Sequence, residues 1–164
     1  MPAGMQDFLV ATVTASASFI GLLFVAISIS LNEDRYTADE ARTKRILAES
    51  SNTALLSVFF ISLVGLIPGT SIGWVTFVMA WAGLANAGHF LRVEARRSYH
   101  RGLLLLTSGI YVAQGAYAIS ILLAGDHHYT SKYGFMTLII FLFATALGRA
   151  WELTGIRKGK PVSI

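Results

Sequence analysis

The chain has 164 residues, of which 54% are hydrophobic and only 13% charged, and its mean hydropathy is +0.61. A soluble domain carries about a quarter charged residues to wet its surface, so this composition excludes a soluble globular protein and predicts an integral membrane one. A formal net charge of +4 accompanies a complete lack of cysteine, which removes disulfides, thiolate catalysis and Cys-based metal sites together.

Five apolar stretches, residues 8–31, 51–67, 73–91, 103–124 and 134–151, account for about 100 residues. A helix needs about 20 apolar residues to cross a bilayer with every backbone group bonded internally. The pattern therefore predicts an all-α bundle of five transmembrane helices. The longest connection covers residues 32–50, too short for a soluble domain, so residues 1–164 read as a single membrane domain.

The first stretch follows a leader without Lys or Arg, and its apolar run is longer than a signal-peptide core. It is expected to remain as the first span. Thr14, Ser18, Gly21 and Ser28 recur along it at helical spacing and form one small, polar stripe, of the kind that packs closely on another helix or lines a pore. Next, Thr37-Ala38-Asp39-Glu40 has the form of a capping box, and neither Gly nor Pro interrupts residues 38–64. A helical extension over residues 38–50, with Glu40 and Lys44 paired one turn apart, should lead into the second span near Ser51. Pro68-Gly69 then ends that helix and returns the chain as the third span.

The third span holds Asn86 and, one turn on, His89. Histidine is the side chain whose charge changes near neutral pH, which makes His89 the candidate pH sensor. Gln114, near the centre of the fourth span, is the deepest strongly polar group, and Tyr111 and Tyr117 share its helical face. A lipid-facing amide there would be costly. That face should turn to another helix, with Gln114 as interhelical glue worth about 1 kcal/mol and Asn86 as its partner, or form a ring of glutamines around the axis of a homo-oligomeric pore. Gly109, Ala113, Ala116 and Ser120 make a second small-residue stripe, so the first and fourth helices are expected to pack together or on a neighbouring subunit.

After the fourth span, Asp126, His127 and His128 offer a carboxylate and two imidazoles in one loop. They do not complete a tetrahedral set in a single chain, so only copies gathered around an axis could hold a metal, and neither a metal nor another cofactor is expected. Arg149, in the fifth span, is close enough to the span's end to snorkel and pair with Glu152.

Twelve of the 13 Lys and Arg residues share one side of this threading: Arg35, Arg42, Lys44 and Arg45; Arg92, Arg96, Arg97 and Arg101; and Arg149, Arg157, Lys158 and Lys160. Lys132 alone faces the other. Basic loops stay on the cytoplasmic side, which predicts an external N-terminus and a cytoplasmic C-terminus. Trp74, Tyr129 and Tyr133 fall at the outer interface and Trp151 at the inner one. The basic rim suits anionic lipid, and the pI near 9.6 reads as topology rather than as nucleic-acid binding.

No carboxylate lies deep in a span, which argues against ion-coupled transport, and hydrolase, phosphate-loop and dinucleotide patterns are absent. An enzyme is not expected. The run of residues 15–28, ASASFIGLLFVAIS, resembles the opening helix of small multi-span bacterial inner-membrane proteins without an assigned activity, with a looser likeness around Arg149-Ala150-Trp151. The resemblance implies a bacterial inner membrane and no particular chemistry. Two functions fit the residues. One is a homo-oligomeric passive channel for ions or small solutes, its uncharged path lined by Gln114, Asn86 or Thr14, Ser18 and Ser28; the other is a non-transporting subunit or modulator of a larger membrane assembly.

Overall fold

The computed structural model describes residues 4–31, 38–93, 98–124 and 132–154, and side chains over 4–28, 45–90, 105–123 and 134–151. Five helices and no strand occur among the described residues: α1 (Met5–Leu31), α2 (Ala38–Gly65), α3 (Ile72–Val93), α4 (Ser98–Ala124) and α5 (Lys132–Thr154). Four of them contain segments long and apolar enough to cross a membrane, namely Met5–Ser28, Arg45–Gly65, Leu105–Leu123 and Gly134–Trp151. The fold is all-helical and of membrane type. At 22 residues α3 has the length, but its Trp, Gly, Asn and His content dilutes its apolarity.

Residues 38–65 form one uninterrupted helix, as a stretch without Gly or Pro allows. It stops at Gly65, and the chain then turns through Gly69 in the left-handed conformation (φ +80°), which a residue without Cβ adopts at no cost. Thr70 Oγ1 lies 2.9 Å from the Val64 carbonyl and 2.7 Å from that of Ile67, satisfying acceptors that the helix end leaves open. The Thr37 cap, the Glu40–Lys44 pair, the side chains of Tyr129, Tyr133 and Lys132, and the basic groups other than Arg45 and Arg149 lie outside the described residues.

Successive helices run antiparallel. Leu9 meets Gly65 and Leu23 packs with Leu55; Thr53 bonds Asn86; Gly73 abuts Leu122; Thr107 bonds Arg149 while Tyr117 stacks on Phe135. The C-terminal ends of α1, α3 and α5 and the N-terminal ends of α2 and α4 therefore share one end of the bundle. Helix α2 is central, in contact with α1, α3 and α5, and α4 rests mainly on α3. Half of α2's apolar window is buried, against 17% of α1's. Helices α2, α3, α4 and α5 form a ring in which α2 stands diagonally opposite α4, and α3 opposite α5. The α4–α5 side is its loosest joint.

The core joins all five helices through Met5, Leu9, Val58, Ile61, Ile72, Tyr111, Phe135, Ile139 and Leu142. A second cluster of Leu23, Ala54, Leu55 and Ala146 extends it along α1, α2 and α5, with Phe19 set edge-on to Phe143 at 5.4 Å. Outside, Leu22, Phe24, Trp74, Trp81, Leu105, Leu123, Phe141 and Trp151 are all more than half exposed. So much apolar exterior is incompatible with water and suits lipid.

Of the two packings expected for α1 and α4, the direct one does not occur, since they share no contact among the described residues. Both small-residue stripes face outward. Gly83 accounts for the seating of α4 on α3, because a Cβ there would fall inside the Tyr111 ring. Gly83→Ala should cost about 1–3 kcal/mol, as overpacking of a close-packed core does. Gly21→Ala, where an added methyl meets nothing within 4 Å, should leave stability unchanged; thermal unfolding of both variants in one detergent checks the contrast.

Candidate functional site: a polar interior ringed by four helices

Helix α2 buries a stripe at residues 51, 54, 55, 58, 61, 62 and 65, the 3–4 spacing of a helix face turned to the core. Two members of the stripe, Ser51 and Ser62, are polar and fully buried. Ser51 Oγ donates to the Ala146 carbonyl of α5 at 2.8 Å. Two residues along, on the opposite side of α2, Thr53 Oγ1 donates to the Glu49 carbonyl (2.8 Å) and accepts from Asn86 Nδ2 of α3 (2.8 Å).

Helix α4 supplies the other two links. Gln114, with no exposed surface, donates from Nε2 to the Thr76 carbonyl of α3 at 3.2 Å. A carbonyl only accepts, so the amide orientation is determined and Oε1 is the atom turned away. Thr107, one turn before Tyr111, accepts from Nη2 of Arg149 on α5. Four polar bonds thus close the ring: α2 to α3, α3 to α4, α4 to α5 and α5 to α2.

On the helices of this ring Ser62 Oγ, Tyr111 OH and Gln114 Oε1 have negligible accessible surface and no well-formed hydrogen bond. Tyr111 is 3% exposed and Ser62 and Gln114 are wholly enclosed. The Ser57 hydroxyl donates to the Thr53 carbonyl at 2.8 Å and keeps its lone pairs for the Tyr111 O–H, so what the chain leaves unused at the phenol is the oxygen's own acceptor capacity. A buried polar atom without a partner costs about 1–3 kcal/mol, so three in one interior call for an occupant.

The expected site residues separate into two groups. Gln114 and Tyr111 are buried on α4, and Tyr117, half-buried, stacks on Phe135 at 6.2 Å. Asn86 is half-buried and serves Thr53, so it is not the partner of Gln114. Gln114 is enclosed by its own chain, so its amide is not presented on the surface where a ring of glutamines between copies would need it. Thr14, Ser18 and Ser28 are exposed on α1 and return their hydroxyls to the carbonyls of Val10, Thr14 and Phe24, each at 2.9 Å. They stand outside the ring. His89 is exposed on α3, beside the Phe90 ring, in a surface groove of about 500 Å³ with Trp81 and Leu84. Asp126, His127 and His128 lie outside the described residues, among which no group of three or more metal-ligating side chains occurs.

Arg149 corrects the sequence reading most. It is 2% exposed and turned into the bundle toward Thr107, where a snorkelling side chain was expected. The Glu152 side chain lies outside those described. Sequence reasoning also passed over Ser51, Ser57, Ser62, Thr76 and Thr107. For Ser51 and Ser62 the signal was present, since they share the helical period of Ala54, Leu55, Val58 and Ile61.

Comparison with known proteins returns no matching family model, no matching curated protein and no matching solved structure. The functional argument therefore rests on these residues.

A double-mutant cycle of Thr53→Ala and Asn86→Ala should return a coupling of about 0.6 kcal/mol, typical of interhelical hydrogen bonds in membranes and below about 1.7. Unfolding titrations in mixed micelles measure it. Additive single effects would mean that the two side chains do not interact.

Proposed function

We propose that the protein is a homo-oligomeric five-span protein of the bacterial plasma membrane that passes a small solute passively, by a route inside each chain's own α2–α5 ring. The observation that carries this reading is the set of buried atoms without a well-formed protein hydrogen bond, Ser62 Oγ, Tyr111 OH and Gln114 Oε1. Such atoms belong to buried networks completed by water or a ligand. Passive passage follows from the absence of a buried Asp or Glu among the described residues, since ion-coupled carriers place a carboxylate within the membrane.

Counting α3 as a span is supported by its packing along both α2 and α4 and by its outward Trp74, Val78 and Trp81. Asn86 and Gly83 face inward, so composition understates how apolar α3 is toward lipid. The antiparallel order brings the C-terminal ends of α1, α3 and α5 and the N-terminal ends of α2 and α4 to one end of the bundle, and the three basic clusters are adjacent to these helix ends in the sequence, which supports an external N-terminus, a cytoplasmic C-terminus and an anionic-lipid rim on the inside. A second reading, a non-transporting subunit of a larger assembly, draws on one observation: Asn86, Ser51, the Gln114 amide N–H and Arg149 each bond a neighbouring helix.

Purified protein in liposomes should raise small-solute permeability above that of empty vesicles. Tyr111→Phe and Gln114→Leu should lower it while light scattering shows the same oligomer. No flux at any voltage or pH would dismiss the channel and leave the second reading; flux and oligomer lost in proportion would make Gln114 glue alone.

A further inference from the structure

The unpartnered atoms also constrain what occupies the interior. Antiparallel packing of α2 on α3 sets Gly65 beside Ile72 and Thr53 beside Asn86. That register brings Ser62 to the level of Thr76, whose carbonyl holds the Gln114 amide. Tyr111 is one turn from Gln114 on the same face of α4. Ser62, Gln114 and Tyr111 therefore succeed one another in level along the bundle, each with its polar atom buried.

Their chemistry is selective. Gln114 Oε1 can only accept, so what satisfies it is a hydrogen-bond donor or a cation. The Ser62 and Tyr111 hydroxyls both donate and accept, so they accommodate an occupant's remaining donors or its acceptor. A bare anion has no hydrogen for Gln114. A metal cation would shed its hydration shell among neutral oxygens, in an interior where no carboxylate is buried among the described residues and the one buried ionic side chain is Arg149, itself a cation. What fits is small, uncharged and a hydrogen-bond donor.

We infer that Ser62, Gln114 and Tyr111 form a binding site for a small neutral hydrogen-bond donor, of the class of water, ammonia and urea, and that this site sets the selectivity of the interior route. The assignment rests on that route for its transport consequence. The occupancy of the site does not depend on transport, and the two can be measured separately.

Gln6 and Gln114 are the only glutamines in the chain, and Gln6 is exposed. In a Gln6→Ala background, glutamine labelled with carbon-13 at the side-chain carbonyl reports Gln114 alone by infrared spectroscopy. In hydrated proteoliposomes its stretch should lie at the lowered frequency of a hydrogen-bonded amide, rise on drying and shift again with urea. A stretch at the free-carbonyl position in hydrated vesicles, unmoved by urea, overturns the site whatever the flux. In stopped-flow measurements on the same vesicles, water, ammonia and urea should cross while potassium and chloride do not. Tyr111→Phe and Ser62→Ala, which preserve packing, should each slow urea by up to about tenfold, the effect of one hydrogen bond at a barrier. A bonded carbonyl with no flux of any solute upholds the site and removes the channel. Potassium or chloride crossing as fast as urea, with both variants unaltered, removes the selectivity claim and leaves a channel of another kind.

Discussion

In a bilayer a polar side chain has no water to turn to, and it must be answered by protein or by something the protein admits. In this chain four such side chains are answered across helix boundaries. Ser51 reaches α5, Asn86 reaches α2, Gln114 reaches α3 and Arg149 reaches α4. Because each link joins a different adjacent pair, the bonds define a closed ring. Apolar packing alone would allow helices to slide or rotate against one another, since lipid solvates an apolar face as well as a neighbouring helix does. Directional bonds to named atoms fix the register, and the register in turn sets the levels of Ser62, Tyr111 and Gln114 along the bundle.

Helix α1 follows a different rule. Thr12, Thr14, Ser16, Ser18 and Ser28 all bond the carbonyl four residues back, so these hydroxyls ask nothing of another helix. Met5, Leu9 and Leu23 provide a narrow apolar seam against α2 and its neighbours. As rich in Ser and Thr as α2, this helix thus contributes none of the four links between helices. Its sidedness comes from shape: Leu9 fits against Gly65, where a Cβ would stand 3.1 Å from the leucine methyl.

Much of the architecture was legible in the sequence. The apolar runs, the Pro68-Gly69 stop and the unbroken stretch from residue 38 are local properties of the chain, and the helices follow them. The enclosure of Gln114 was also foreseeable, since an amide at mid-span is too costly to show to lipid. Its partner was not. Asn86 was an equally plausible acceptor by depth and chemistry, and only the angle at which α3 meets α4 brings a Thr76 carbonyl to Gln114 instead. Arg149 was misjudged for a related reason. Proximity to a helix end permits snorkelling, but the side chain projects from the face of α5 turned to α4, where it is buried and bonds Thr107.

Taken alone, the sequence determined the membrane class, the helical content, the approximate extents of the helices and the segregation of basic residues, because each depends on composition over one or two turns. The tertiary structure decided which polar groups satisfy one another and which are left over. That outcome depends on helix rotation and register, set by close fits such as Gly83 beneath Tyr111, and a period of 3.6 residues specifies a face without saying what will meet it. The atoms left over, Ser62 Oγ, Tyr111 OH and Gln114 Oε1, are invisible until every partner has been assigned.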